Sequence, residues 1–142
     1  MSGRVTPQEA HALMTKEGYA YLDVRTVAEF EAGHPAGAYN VPLLVDGAGG
    51  RAPNAAFLSA SLAAFPKGTK LVVGCLAGGR AARAAELLAG AGYTNVTVQA
   101  AGWGGLVDSF GRVTQKGWKA EGLPTATQSE PGHSWSELGG KK

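Results

Sequence analysis

Leu71-Val72-Val73-Gly74-Cys75-Leu76-Ala77-Gly78-Gly79-Arg80 is the stretch from which the rest of the chain is read. An apolar β-branched run ends there at the only cysteine of the 142 residues. Leu71 to Val73 predicts a buried strand, and the good helix formers from Ala81 to Ala91 predict a helix closed by Gly92. Between them lies a strand-to-helix turn. With no Cβ at Gly78 and Gly79, the backbone N–H groups of that turn can face the sulfur and add to the partial positive charge of the helix start. Such surroundings lower a cysteine pKa from about 8.5 to roughly 3.5–7.5, which supplies a thiolate at neutral pH. The plainer alternative is a small apolar residue buried at a strand end, as free cysteines often are. The carboxyl end of a strand favours the reactive reading, because open α/β sheets bind ligands there. Arg80 adds to it: a cation is unfavourable at a helix N-terminus and calls for an anion to compensate.

Outward from this turn, strands alternate with helices. Thr6-Pro7-Gln8-Glu9 is a capping box with proline at the first helical position, opening a helix to about Glu17, and Tyr19 to Val24 follows as a strand. Thr26 to Glu29 repeats the capping box before a short helix, ended by Gly33-His34-Pro35, and Tyr39 to Pro42 is a brief extended segment. Glycine-rich Val45 to Pro53 reads as a loop, Ala55 to Ala64 as a helix, Val96 to Gln99 as a strand and Leu106 to Phe110 as a helical turn or two. The order implies an α/β fold whose parallel sheet is covered on both faces.

Composition sets bounds. The chain is one domain's worth and can bury roughly two thirds of its unfolded surface. A lone cysteine permits no internal disulfide, which points to a reducing, cytoplasmic setting, and a sulfur loaded on it must wait for an external nucleophile. Thirteen basic and eleven acidic residues give a net charge of +2 with no basic stripe, so no nucleic-acid partner is expected. No apolar run approaches the roughly 18 residues that span a bilayer, so no membrane partner is expected either. After Pro124 the sequence turns to Thr, Ser, Gln, Gly, Glu and Lys. The expectation is a domain over residues 1–124 and a polar, flexible tail over 125–142, with Trp135 and Leu138 the two residues in it able to dock.

The loop from Cys75 through four residues to Arg80 resembles the active-site loop of the rhodanese (thiosulfate sulfurtransferase) family. Tyr21-Leu22-Asp23-Val24-Arg25 with Ala28-Glu29-Phe30 resembles that family's D-V-R-x-x-x-E-[FY] segment, and His34-Pro35-Ala36-Gly37-Ala38-Tyr39-Asn40-Val41-Pro42 its H-I-x-G-A-x-N-[IV]-P. Gly92-Tyr93-Thr94-Asn95-Val96, Ala101-Gly102-Trp103 and Trp118 with Gly122-Leu123-Pro124 are similar to its later motifs in the same order. The resemblance covers roughly residues 5–124 and is nearest the small single-domain rhodaneses of plants, algae and cyanobacteria, which keeps the chloroplast stroma open as a location if a transit peptide has been removed.

That resemblance implies a three-layer α/β fold, a central parallel sheet flanked by helices, and a sulfurtransferase moving sulfane sulfur from thiosulfate or a similar donor to cyanide or a thiol through a Cys75 persulfide. Leu76, Ala77, Gly78, Gly79 and Arg80 would bind substrate, Asp23 and Arg25 would lock neighbouring structure, and the partners would be a small sulfur donor and a thiol or protein acceptor. No cofactor is expected, and no metal, since His11 and His133 lie far from matching ligands. His34, at a helix end before Pro35, reads as a capping or core-edge residue. Leu76 stands where many family loops carry a basic or polar residue, so a dianion should bind less tightly here. Two alternatives remain. A related phosphatase or arsenate reductase would enclose one residue more between cysteine and arginine, and a noncatalytic module would bind a partner.

Overall fold

The computed structural model describes residues 3–47, 49–76 and 79–140. Its elements run β1 (Gly3–Val5), α1 (Pro7–Lys16), β2 (Ala20–Asp23), α2 (Val27–Ala32), β3 (His34–Pro35), β4 (Tyr39–Asn40), β5 (Leu44–Gly47), β6 (Gly50–Pro53) and α3 (Phe57–Ala64). They continue through β7 (Leu71–Gly74), α4 (Gly79–Gly90), β8 (Val96–Gln99), β9 (Leu106–Val107), β10 (Val113–Gln115) and β11 (Thr125–Ala126) to a helical turn over Ser136–Gly140. β1, β8, β7, β2 and β4 form, in that order, a wholly parallel five-stranded sheet. The strand that precedes Cys75 is therefore the middle one, and its four residues are all buried.

Period-2 alternation divides the core. Leu22, Leu71, Val73, Val96 and Val98 enter one apolar cluster with Phe57 and Ala60 of α3 and Ala81, Ala84, Ala85 and Leu88 of α4. Tyr21 and Val72 enter the other with Ala10 of α1, Phe30 of α2 and Trp118. Sheet and helices thus make the expected three layers. Ala81, Ala84, Ala85 and Leu88, the buried residues of α4, share this cluster with Cys75. Both capping boxes form: Thr6 and Glu9, and Thr26 and Glu29, exchange side-chain and backbone hydrogen bonds at the starts of α1 and α2.

Three segments differ from expectation. Val45–Pro53 is an antiparallel hairpin of β5 and β6 rather than a loop. Leu106–Phe110 is not helical: β9 pairs with β10, and Asp108 Oδ1 turns the chain between them by accepting from the N–H groups of Phe110 and Arg112. The described tail, residues 125–140, lies on the body instead of leaving it. β11 pairs with β3, the Asn40 N–H donates to the His133 carbonyl at 2.8 Å, and the His133 ring stacks on Tyr39 at 3.6 Å. Trp135 and Leu138 pack against the cluster under α3 and α4. Polar composition left the segment no core of its own, but it needed none, because the open edge of β4 supplies the surface.

Candidate active site

Cys75 follows directly on β7 and is 2% exposed. Its Sγ accepts a hydrogen bond from the Ala81 N–H at 3.3 Å, a donor in the first turn of α4. The first turn of α4 thus faces the sulfur. Leu76 is 43% exposed and Gly79 opens the helix. Ala77 and Gly78, also assigned to substrate binding from sequence, lie outside the described residues.

The loop is held from behind by the turn at Ala101-Gly102-Trp103, to which the sequence assigned no role. The N–H groups of Trp103 and Gly104 donate to the carbonyls of Cys75 and Leu76 at 2.8 and 2.9 Å. Between these contacts Gly102 has φ +63°, and a Cβ there would run into the Cys75 carbonyl oxygen and come within 2.6 Å of that of Leu76. Buried Gln99 fixes the glycine: its Oε1 accepts from the Gly102 N–H at 2.8 Å and its Nε2 donates to the Gly102 carbonyl at 2.9 Å. Gly74, just before the cysteine, leaves room for the Tyr21 hydroxyl, whose ionisation burial and then Asp23 push well above the ordinary phenol range. Glycine at positions 74 and 102 was the available signal in the sequence.

Arg80 finds its anion inside the chain. Its Nη1 and Nη2 donate to the two carboxylate oxygens of Glu29 at 2.7 and 3.0 Å, a bidentate pair with side chains only 16% and 20% exposed. Glu29 also accepts from the Thr26 N–H and hydroxyl, and Arg51 stands 3.6 Å from it. Burial alone would raise the Glu29 pKa, but Arg80 and Thr26 outweigh it and bring the carboxyl down to about 2. Glu29 raises the Arg80 pKa in turn, against its partial burial, with smaller contributions from Cys75 and Asp23. From the sequence Glu29 had a capping role and a place in a family-like segment; the cation stranded at the start of α4 was the clue to its second role.

Asp23 and Arg25 close the floor. Arg25 Nη2 donates to Asp23 Oδ2 and to the Gly33 carbonyl, both at 2.7 Å, with both ionic side chains buried. The guanidinium lies over the Trp103 ring at 5.1 Å, linking β2 to the turn behind Cys75. Asn40 Nδ2 donates to the carbonyls of Asp23 and Arg25. His34 is buried, donates from Nδ1 to the Phe30 carbonyl at 2.7 Å and stacks on that ring. Among the described residues no group of His, Cys, Asp and Glu is placed to hold a metal ion.

A parallel sheet with a cysteine at the end of its middle strand, backed by a helix start, places this chain among the open α/β proteins. Residues 6–108 match the Rhodanese-like domain family, and the chain belongs to it. It is 38% identical over 116 residues to thiosulfate sulfurtransferase 16, chloroplastic, of Arabidopsis thaliana, covering 82% of this chain and 86% of that one. It is 39% identical over 92 residues to the mitochondrial protein HIGH ARSENIC CONTENT 1 of the same plant, covering 65% of this chain and about half of that one, 54%. The crystal structure of Rv0390 from M. tuberculosis superposes with a TM-score of 0.71 at 28% identity, over 89% of this chain and 98% of that one.

Proposed function

We propose that the protein is a sulfurtransferase working by double displacement on Cys75. The observation that carries the reading is the Cys75 Sγ at the end of the middle strand, taking the Ala81 N–H at the start of α4. The Cys75 thiolate attacks the outer sulfur of thiosulfate or a related donor, an Sγ–S bond forms, the S–S bond of the donor breaks, and sulfite leaves with the electron pair. The same amide then steadies the persulfide until cyanide or a thiol removes its outer sulfur. The resemblance to a relative named thiosulfate sulfurtransferase supports this choice of donor. No cofactor enters the scheme; the partners are a small sulfur donor and a thiol or protein acceptor. Of the two relatives described above, one is named chloroplastic and the other mitochondrial. The cytoplasm is the location proposed here, with the chloroplast stroma as the alternative that the chloroplastic relative supports; no described helix is long and apolar enough to cross a membrane.

Intact-mass spectrometry after incubation with thiosulfate or an alkyl persulfide tests the reading. Addition of one sulfur atom is expected, lost on treatment with cyanide or dithiothreitol and absent in Cys75→Ser. No adduct from any sulfane donor would overturn it, as would aryl phosphate hydrolysis or arsenate reduction abolished by Cys75→Ser.

A further inference from the structure

From the bidentate Arg80–Glu29 pair we infer that Glu29 is a specificity-determining residue, which withdraws the loop's cation from the donor site and selects an alkyl persulfide over thiosulfate. The inference rests on the sulfur-transfer reading of Cys75. A donor's leaving group must be received where negative charge develops, beside the first turn of α4. In thiosulfate that group is sulfite. Thiolate attack on it gathers three negative charges, one from Cys75 and two from the donor, and they leave as one on the Cys75 persulfide and two on sulfite. An alkyl persulfide R–S–SH asks less: Sγ takes the outer sulfur with its proton, the donor's S–S bond breaks, and RS⁻ departs with the electron pair, so a single negative charge is present throughout.

The side chains around Cys75 suit the second case. Both terminal nitrogens of Arg80 are committed to Glu29, and Glu29 is ionised at any working pH. Arg25 is likewise matched by Asp23. Arg51, the third guanidinium at this cluster, also leans on Glu29 at 3.6 Å. A sulfonate arriving at Arg80 must displace a carboxylate already held by two hydrogen bonds, so it gains only a difference between two ion pairs. Leu76, in the loop next to Cys75, offers an exposed apolar side chain leaning over Gly104, which favours an organic R group and offers a sulfonate nothing.

The experiment compares thiosulfate with the persulfide of 2-mercaptoethanol, reading kcat/KM for sulfur loading of Cys75 in the wild type and in Glu29→Gln. The glutamine can still accept from Thr26 and cap α2, but it leaves Arg80 a net cation. The ratio of thiosulfate to persulfide efficiency is expected to rise about ten- to a hundredfold, the worth of one charge-assisted hydrogen bond. In the wild type the persulfide is the better donor, and thiosulfate efficiency changes little between low and physiological salt; in Glu29→Gln it falls as salt rises, because the released charge is screened. A wild type that prefers thiosulfate, or a folded Glu29→Gln with an unmoved ratio, overturns the inference while leaving sulfur transfer standing. Should the variant fail to fold, donor preference and salt response in the wild type decide the matter. Loading by neither donor overturns the sulfurtransferase reading itself.

Discussion

Replacing Gly102 by alanine separates two costs that a glycine in the left-handed region can carry. The first is conformational: an alanine at φ +63° costs about 1–2 kcal/mol. The second is contact. The new Cβ meets the Cys75 carbonyl oxygen and lies 2.6 Å from the Leu76 carbonyl oxygen, backbone atoms already pinned by the N–H groups of Trp103 and Gly104. Relief requires the loop or the turn to move by about an ångström, at an overpacking cost of roughly 1–3 kcal/mol. A displacement of that size at a reacting group reduces rate about a hundredfold. Gly18 is the matched control: its φ is +75° and a Cβ there meets nothing within 4 Å, at the opposite end of β2 from the site. At roughly 4 °C per kcal/mol for a chain of this size, Gly18→Ala should lower Tm by about 4–8 °C with unchanged thiocyanate formation from thiosulfate and cyanide. Gly102→Ala should lower it by about 8–20 °C and cut the rate about a hundredfold. If the two variants behave alike in both assays, the close approach behind Cys75 has no role in placing the nucleophile.

Three further outcomes are expected. Truncation after Ala126 removes the His133 carbonyl from Asn40 and uncovers the cluster that Trp135 and Leu138 pack against, so calorimetry should show a clear fall in Tm; an unchanged Tm would place residues 127–140 off the body. Asp23→Asn leaves Arg25 buried beside a neutral amide, a loss of about 3–5 kcal/mol measurable by urea titration, against which a shift below about 1 kcal/mol would argue. For acid stability the sign follows from Glu29: its folded pKa of about 2 lies below the ordinary 4.5, so its contribution is whole above pH 4.5 and fades as pH falls toward 2. Over that window the wild type should lose more stability than Glu29→Gln, and parallel acid curves would show the pair to be inert.

What could be read from the sequence was what neighbouring residues decide among themselves. The two capping boxes need four consecutive residues each, and β7 with α4 is announced by an apolar run, glycines and a row of helix formers. Where pairing crosses the chain, the local signal misled. β6 is exposed along its whole length, so no alternation marked it as a strand. Leu106 to Phe110 is too short for its apolar spacing to tell helix from strand, and only Val113–Gln115 decides it. Glu29 and Arg80 are 51 residues apart: Glu29 had a complete local account as a cap, and Arg80 called for an anion that no neighbouring residue supplied. The same holds for Gly102, whose reason lies in carbonyls of a different loop.

The clasp between Asn40 and His133 also imposes an order of events on a newly made chain. β4 is an outer strand of the sheet, and the carbonyl that takes its N–H comes 93 positions later. At a synthesis rate of about 5–20 residues per second, that interval lasts roughly 5–20 s. A nascent sheet of β2, β4 and β7 can assemble well before then, and for the remaining seconds it presents Asn40 and the Tyr39 ring to whatever is near. The ribosome-bound sheet thus leaves the β4 edge open to pairing with a neighbouring polysome product throughout that interval, and release of residues 133–138 closes it.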